Sequence, residues 1–351
     1  MSSTISDLRP LATVSGRRPL WFAAPAAALI YPFPLMAFHA ATGMIATGAV
    51  TGWLIAALSL ALAIALPVVA LLAAMRLSLV YRPTAAELLA RRVALLAVAA
   101  PPLFTFIGVI FLLLGAPQLD VWFVSAMWLL LAVAIRYADN RAPAAMSAPN
   151  PHGKMRVAHG AAAVLVLVYI AFHFSNHLFG LIGDEAHTAV MKLFRVVYRA
   201  AWVEPILLAG FAFLIVSGAQ MAWRLTERGT DRYRTFQIAA GIYLIFAVIS
   251  HLNAVLYLAR VHLGIDTDWA FATGAPVGMI KDAWSIRLVP YYLLGAFFVV
   301  AHTFSGLRVV MLAHGARKPL ADTVMLCGAA FAALLSTVII LAMCGLRLHF
   351  V

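Results

Sequence analysis

The chain has 351 residues, 64% of them hydrophobic and only 11% charged, with a formal net charge of +12. So little polar surface cannot cover a water-soluble fold, and the composition is that of an all-α integral membrane protein. The 25 Lys and Arg residues are scattered between apolar runs and build no continuous stripe, which argues against nucleic-acid binding and assigns them to membrane orientation.

Nine apolar runs follow one another at about 20–42, 51–74, 93–115, 119–136, 157–182, 203–223, 236–259, 288–310 and 322–346, each near the roughly 20 residues that cross a hydrocarbon core. The first is preceded by basic residues but is too long for a signal h-region, so it reads as an uncleaved span. In the third, Pro101-Pro102 must bend or interrupt the helix. The Pro- and Ala-rich stretch after Tyr137 reads as a linker. The expected organisation is a cytoplasmic N-terminal segment (1–19), a four-span bundle (20–136), a cytoplasmic linker (137–156) and a five-span bundle (157–351). Residues 184–202 have the spacing of an amphipathic helix lying at the membrane surface. Residues 260–287 read as a cap anchored at the interface by Trp269 and Trp284. Cys327 and Cys344, the only cysteines, both lie in the last run. This excludes a disulfide framework and a thiolate-held iron–sulfur cluster.

Taking loops on alternate sides, most Lys and Arg, including Arg91 and Arg92 before the third run, fall on one side. The other has Lys192, Arg195, Arg199, Arg260, Lys281, Arg287 and Arg347. The positive-inside rule then puts the N-terminus in the cytoplasm and the C-terminus outside.

An ionisable side chain within a span needs a partner, and the fifth, seventh and eighth runs carry His173 with His177, His251 and His302. At 1.5 Å per residue, His173 lies roughly 24 Å and His251 roughly 22 Å from the inner ends of their spans. His302 lies roughly 12 Å from the inner surface, at another level. Two imidazoles at matched depth on facing helices are what bis-histidine haem ligation requires, so His173 and His251 are the expected metal ligands. His177, one turn further out, would contact a haem propionate or a quinone oxygen, or replace His173. Asn176 is a candidate for the same contacts, and Arg195, Tyr198, Arg199 and Arg260 are candidates for the propionates. A partner for His302 is expected on the sixth run, which offers Ser217, Gln220 and Met221 but no histidine. His39, His159, His187, His262, His314 and His349, at span ends or in loops, read as structural. Ser217-Gly218 and Ser305-Gly306 read as close-packing positions, and Glu204 as a charge complementing a helix dipole.

RVAHG leading to FHFSNHLFG, the amphipathic segment ending at Glu204, FQIAAGIYLIFAVISH and AHTFSGL together make residues 155–347 resemble a known family. It is the five-helix, single-polypeptide cytochrome b membrane anchor of succinate dehydrogenases and fumarate reductases. The resemblance implies an outer haem b held by His173 and His251, and a second, inner haem for which His302 supplies one ligand and the Ser217 position lacks the other. It also implies exchange of electrons with a quinone or a partner redox subunit, and a bacterial inner membrane. The four N-terminal spans are foreign to that family. The expected function is a b-type cytochrome with one haem, or two, acting at most as the membrane subunit of an oxidoreductase. The alternative is a haem-free structural subunit, sensor or transporter on an anchor-like fold.

Overall fold

The structure is a computed structural model that describes residues 18–145 and 153–348. Most of the N-terminal segment, the centre of the linker (146–152) and His349 lie outside the described residues. Those described form helices and no strand. Eight of the helical segments are long and apolar enough to cross a membrane, and one further pair passes the same test but is bent by 71°. Large apolar side chains such as Leu130, Val164 and Leu334 are exposed on their outer faces, the surface lipid covers.

In the first half, α1 (Arg18–Ile30) and α2 (Pro32–Ala46) form one span interrupted before Pro32 and Pro34. Then come α3 (Val50–Leu77), the bent pair α4 (Ala85–Val98) and α5 (Ala100–Leu113), and α6 (Asp120–Tyr137). The bend falls where Pro101 and Pro102 open α5, as the sequence predicts. Buried Ala24, Ala28, Ala63, Ala70, Ala74, Ala90 and Ala94 let these helices approach closely, the small-residue packing that replaces the hydrophobic effect in lipid.

Arg91 and Arg92 do not sit in a loop. The chain turns into α4 eight residues before the third apolar run, because Thr84 and Glu87 form a capping box, with Thr84 Oγ1 accepting from the Glu87 amide and Glu87 Oε2 from the Thr84 amide. Arg91 is therefore carried inside, 1% exposed. It donates to the carbonyls of Leu77, Val80, Thr226 and Arg228, placing a cation on the negative C-terminal ends of two helices at once. The described start of the linker is docked rather than free: Ala86 donates to the Asp139 carbonyl and Ala144 to that of Pro83.

The second half comprises α7 (Gly153–Leu178), α8 (Asp184–Tyr198), α9 (Val203–Leu225), α10 (Arg232–Leu252), the short α11 (Trp269–Thr273), α12 (Leu288–Ala313) and α13 (Lys318–Met343). After Leu252 the chain continues in wider π-helical turns to Leu263. Neighbouring contacts close five of these into a ring in the order α7, α9, α10, α12, α13 and back to α7, so that α7 faces α10 and α12 across it without extended backbone contact. α10 and α12 are locked together by a reciprocal pair: Tyr243 Oη donates to the Tyr291 carbonyl at 2.9 Å, and Tyr291 Oη to the Ala247 carbonyl at 2.8 Å.

The N-terminal helices pack on the outside of α10 and α12, and one core runs from Trp21 to Met343. A buried ion pair joins the halves at the end opposite Arg91, with Arg287 Nη1 2.7 Å from Asp120 Oδ2 and its guanidinium over the Phe104 ring.

Candidate functional site

Across the ring, His173 on α7 and His251 on α10 face each other with ring centres 5.9 Å apart. A single metal ion held between two imidazole nitrogens at about 2 Å each brings the ring centres to roughly 6 Å, so the separation fits a shared ion. Both residues are half-buried. Tyr169, one turn before His173, stacks on it at 5.7 Å, and Tyr198 of α8 meets Tyr169 edge-on. Tyr292 flanks His251 from α12.

One turn beyond His173, His177 stands edge-on to it at 4.7 Å and 5.5 Å from His187 of α8. α8 forms as its amphipathic pattern predicts and turns His187 inward, 2% exposed. Asn176 Nδ2 lies 3.0 Å from His187 Nε2. Burial pushes the His187 imidazole down to about 4; Arg195 adds to this, while Asp184 and Asp268 oppose it. Trp269 closes the group, 4.4 Å from His187. It is not an interfacial anchor: it is 3% exposed and packs against Gly180, where an added Cβ would fall 2.1 Å from the indole ring. Trp284 is half-buried beside Arg287. Within this cluster Asn176 Oδ1, His177 Nδ1 and His187 Nδ1 are buried with no hydrogen-bond partner, which is costly unless something else meets them.

The arginines expected near propionates have protein partners. Arg195 donates to the Thr267 carbonyl and to Tyr198 Oη, Arg199 pairs with Asp266 at 2.8 Å, and Arg260 pairs with Glu204 at 2.5 Å. Glu204 is thus half of an ion pair as well as a charge in a first helical turn. The Arg199 hydrogen bond holds the Asp266 carboxyl below its ordinary range. Arg199 and Arg260 each keep a buried, unpartnered Nε.

His302 stands apart from the outer pair, with Nδ1 3.2 Å from the Gln237 carbonyl of α10. Ser217 of α9, expected opposite His302, instead bonds His159 Nδ1 at 2.7 Å, and Gly218 also faces His159. In the sequence, His159 and His187 read as structural and Trp269 as an interfacial anchor; the structure ties His159 to Ser217 and turns His187 and Trp269 inward. The fourteen-residue spacing of His159 and His173 and the apolar flank of α8 were the signals that could have found the first two.

Among the described residues, no three His, Cys, Asp or Glu side chains converge so as to hold a metal ion by themselves. The fold and its interior groups define an all-α integral membrane protein whose helical ring brings histidines together edge-on. No protein-family model, curated protein or solved structure matches the chain.

Proposed function

We propose that the chain is a membrane-embedded b-type cytochrome in which His173 and His251 are the axial ligands of one haem b. The observation that carries this reading is the facing of their rings at 5.9 Å from helices whose backbones stay apart. A pair of imidazoles is a poor site for a bare ion but a complete donor set for an iron that brings its own macrocycle. When bound, haem supplies a one-electron centre, and ligation on both faces leaves no open iron position, which favours electron transfer over oxygen chemistry.

The chain's own groups fit that task. Tyr169 holds the plane of His173 by stacking, and the unpartnered Nε atoms of Arg199 and Arg260 are donors for propionates. Beside the pair, the orphaned ring nitrogens of His177 and His187 are, when protonated, donors for a quinone carbonyl, and the orphaned Asn176 Oδ1 is an acceptor for a quinol hydroxyl. The resemblance to succinate dehydrogenase and fumarate reductase anchors supports reading this protein as the membrane subunit of an oxidoreductase, and the bias of arginines to one end supports a bacterial inner membrane with that end toward the cytoplasm.

The test is a dithionite-minus-air difference spectrum with pyridine haemochrome quantitation on the purified full chain, beside His173→Ala and His251→Ala. A b-type signal reduced by one haem per chain in both variants is the expected result. Absence of any b-type signal from the unaltered chain, or its full retention in both variants, overturns the assignment.

A further inference from the structure

α13 ends on a glycine in the left-handed region. Gly345 has φ +106°, its amide donates to the Ala342 carbonyl at 3.1 Å, and the Leu346 amide donates to that of Leu341 at 2.9 Å. This pattern satisfies the last carbonyls of a helix and turns the chain back over it. Two residues on, the Leu348 amide donates at 2.7 Å to the carbonyl of Leu181, in the turn that follows α7. Between them the Arg347 side chain grips three elements. Its Nη1 donates to the carbonyls of Ala342 at 2.7 Å and Leu346 at 3.0 Å, and its Nη2 pairs at 2.7 Å with Asp184 Oδ1 in the first turn of α8. The same guanidinium lies 5.7 Å from the ring centre of Trp269 in α11.

Those contacts close over the chamber where Asn176, His177 and His187 keep their buried, unpartnered atoms. Trp269 is the roof, 4.4 Å from His187 and 6.1 Å from His177. The joint between α7 and α13 is the sparsest in the ring, and the bond from Leu348 to Leu181 crosses it at the histidine end. The far end of α8 is tied separately, through Arg195 to Thr267 and Arg199 to Asp266. The pair made by Asp184, three residues before His187, is therefore the tie nearest the chamber, and it is open to water, with Arg347 25% and Asp184 68% exposed. Such a pair is weak enough to break repeatedly. We propose that residues 344–348 are a strap that bolts the cap of α8 and α11 shut, with Arg347 as the bolt. Its release swings the Asp184 end of α8 and Trp269 away from His187 and opens the chamber along the joint between α7 and α13.

The rim of that opening fixes what it admits. Phe179, Ile182, Leu346 and Leu348 flank the strap with exposed apolar side chains, so the mouth suits a lipid-soluble ligand arriving from the membrane. A lid of this kind keeps water from buried polar groups while closed and commits the ligand once it has entered. The inference rests on the proposed cytochrome only for what the chamber serves; strap, cap and mouth are defined by contacts of the chain alone.

The experiment is labelling of the full chain in detergent with diethyl pyrocarbonate, which modifies accessible imidazoles, read at each histidine by mass spectrometry. Labelling of His177 and His187 should rise roughly two- to fivefold in Arg347→Ala, the scale of one exposed ion pair. Asp184→Ala should match it, and the double variant should label no faster than the faster single, since both remove the same bolt. Leu348→Pro, which deletes the amide bonded to Leu181, should raise the same two sites with the ion pair left in place. His39 of α2, whose Nδ1 is also buried and unpartnered, should label as in the unaltered chain. Unchanged labelling of His177 and His187 in both Arg347→Ala and Leu348→Pro overturns the strap, and so does an equal rise at His39, which would mean general loosening. Haem in the same samples is measured separately: a selective rise in a chain that holds no haem overturns the cytochrome and leaves the strap standing.

Discussion

The N-terminal span Arg18–Ala46 and the α7–α9 wall of the ring are packed on different principles. In the span Arg18–Ala46, half of the most apolar window is buried inside the protein, whereas for α7 and α9 the figure is 6%. The first half brings backbones together over alanines; the second holds α7 away from α10 and α12 and lets long polar side chains meet in between. The close-packed half lies against the outside of α10 and α12, the helices that carry His251 and His302, and leaves α7 to be held by α8, α9 and α13. This gives the N-terminal spans a physical role: they fix one wall of the ring rigidly, while the opposite wall has fewer contacts of its own.

The largest effect should come from the ion pair that joins the halves. Asp120→Ala leaves Arg287 buried without its carboxylate, and removing one partner of a buried pair costs about 3–5 kcal/mol. The expected outcome is a large fall in the unfolding midpoint in detergent, measured by circular dichroism. Next comes a direct comparison of the walls. Ala70 of α3 is 0% exposed, so Ala70→Leu should cost about 1–3 kcal/mol through overpacking. Ala171 of α7 is exposed, and Ala171→Leu should stay within about 0.5 kcal/mol. Equal effects in denaturant titrations of the two variants would remove the distinction between the walls.

How much of this was legible follows the same division. Span positions and the bend at Pro101-Pro102 came through because length, hydropathy and proline act locally. The matched level of His173 and His251 followed from the rise of the helix alone. Arg91 did not come through, since a charged residue beside an apolar run looks like a loop until Thr84 and Glu87 are recognised as a helix start. His159 reads as a span end because the apolar run begins at 157, whereas the helix begins at Gly153 and the meeting with Ser217 is a tertiary fact. Residue type alone sets Trp269 at the interface, but a five-residue helix folds it back onto Gly180.

The cap over the histidine end should respond to pH. Burial holds His187 down to about 4 in the folded state, against about 6.5 when exposed. The opened cap therefore takes up a proton that the closed cap refuses. The contribution is fully present above about 6.5 and is lost as pH falls toward about 4. Asp184, Asp268, Arg195 and His177 surround the ring and set the width of that window. Hydrogen exchange of α8 should accelerate across it while that of α3 does not change. His187→Gln should flatten the response; an unchanged slope in that variant would assign it to another group.

The smallest effect tests the joint between the walls' two halves of function, the register of α10 against α12. Tyr243 and Tyr291 each donate one hydrogen bond to the other helix, so Tyr243→Phe or Tyr291→Phe should cost about 1 kcal/mol apiece. The two bonds share Tyr291, whose carbonyl accepts one and whose hydroxyl donates the other, so the double variant should cost less than the sum of the singles. The ring levels depend on this register: Ala247 is one turn before His251, and His302 is three turns beyond Tyr291 on the partner helix. A slip would therefore move His251 and His302 in opposite senses relative to α7. On the proposed cytochrome reading, the double variant should broaden the reduced-minus-oxidised bands while circular dichroism keeps its helical content. Strictly additive costs with unaltered bands would mean that the dense half alone, through α3, α4 and α5, holds α10 and α12 in place.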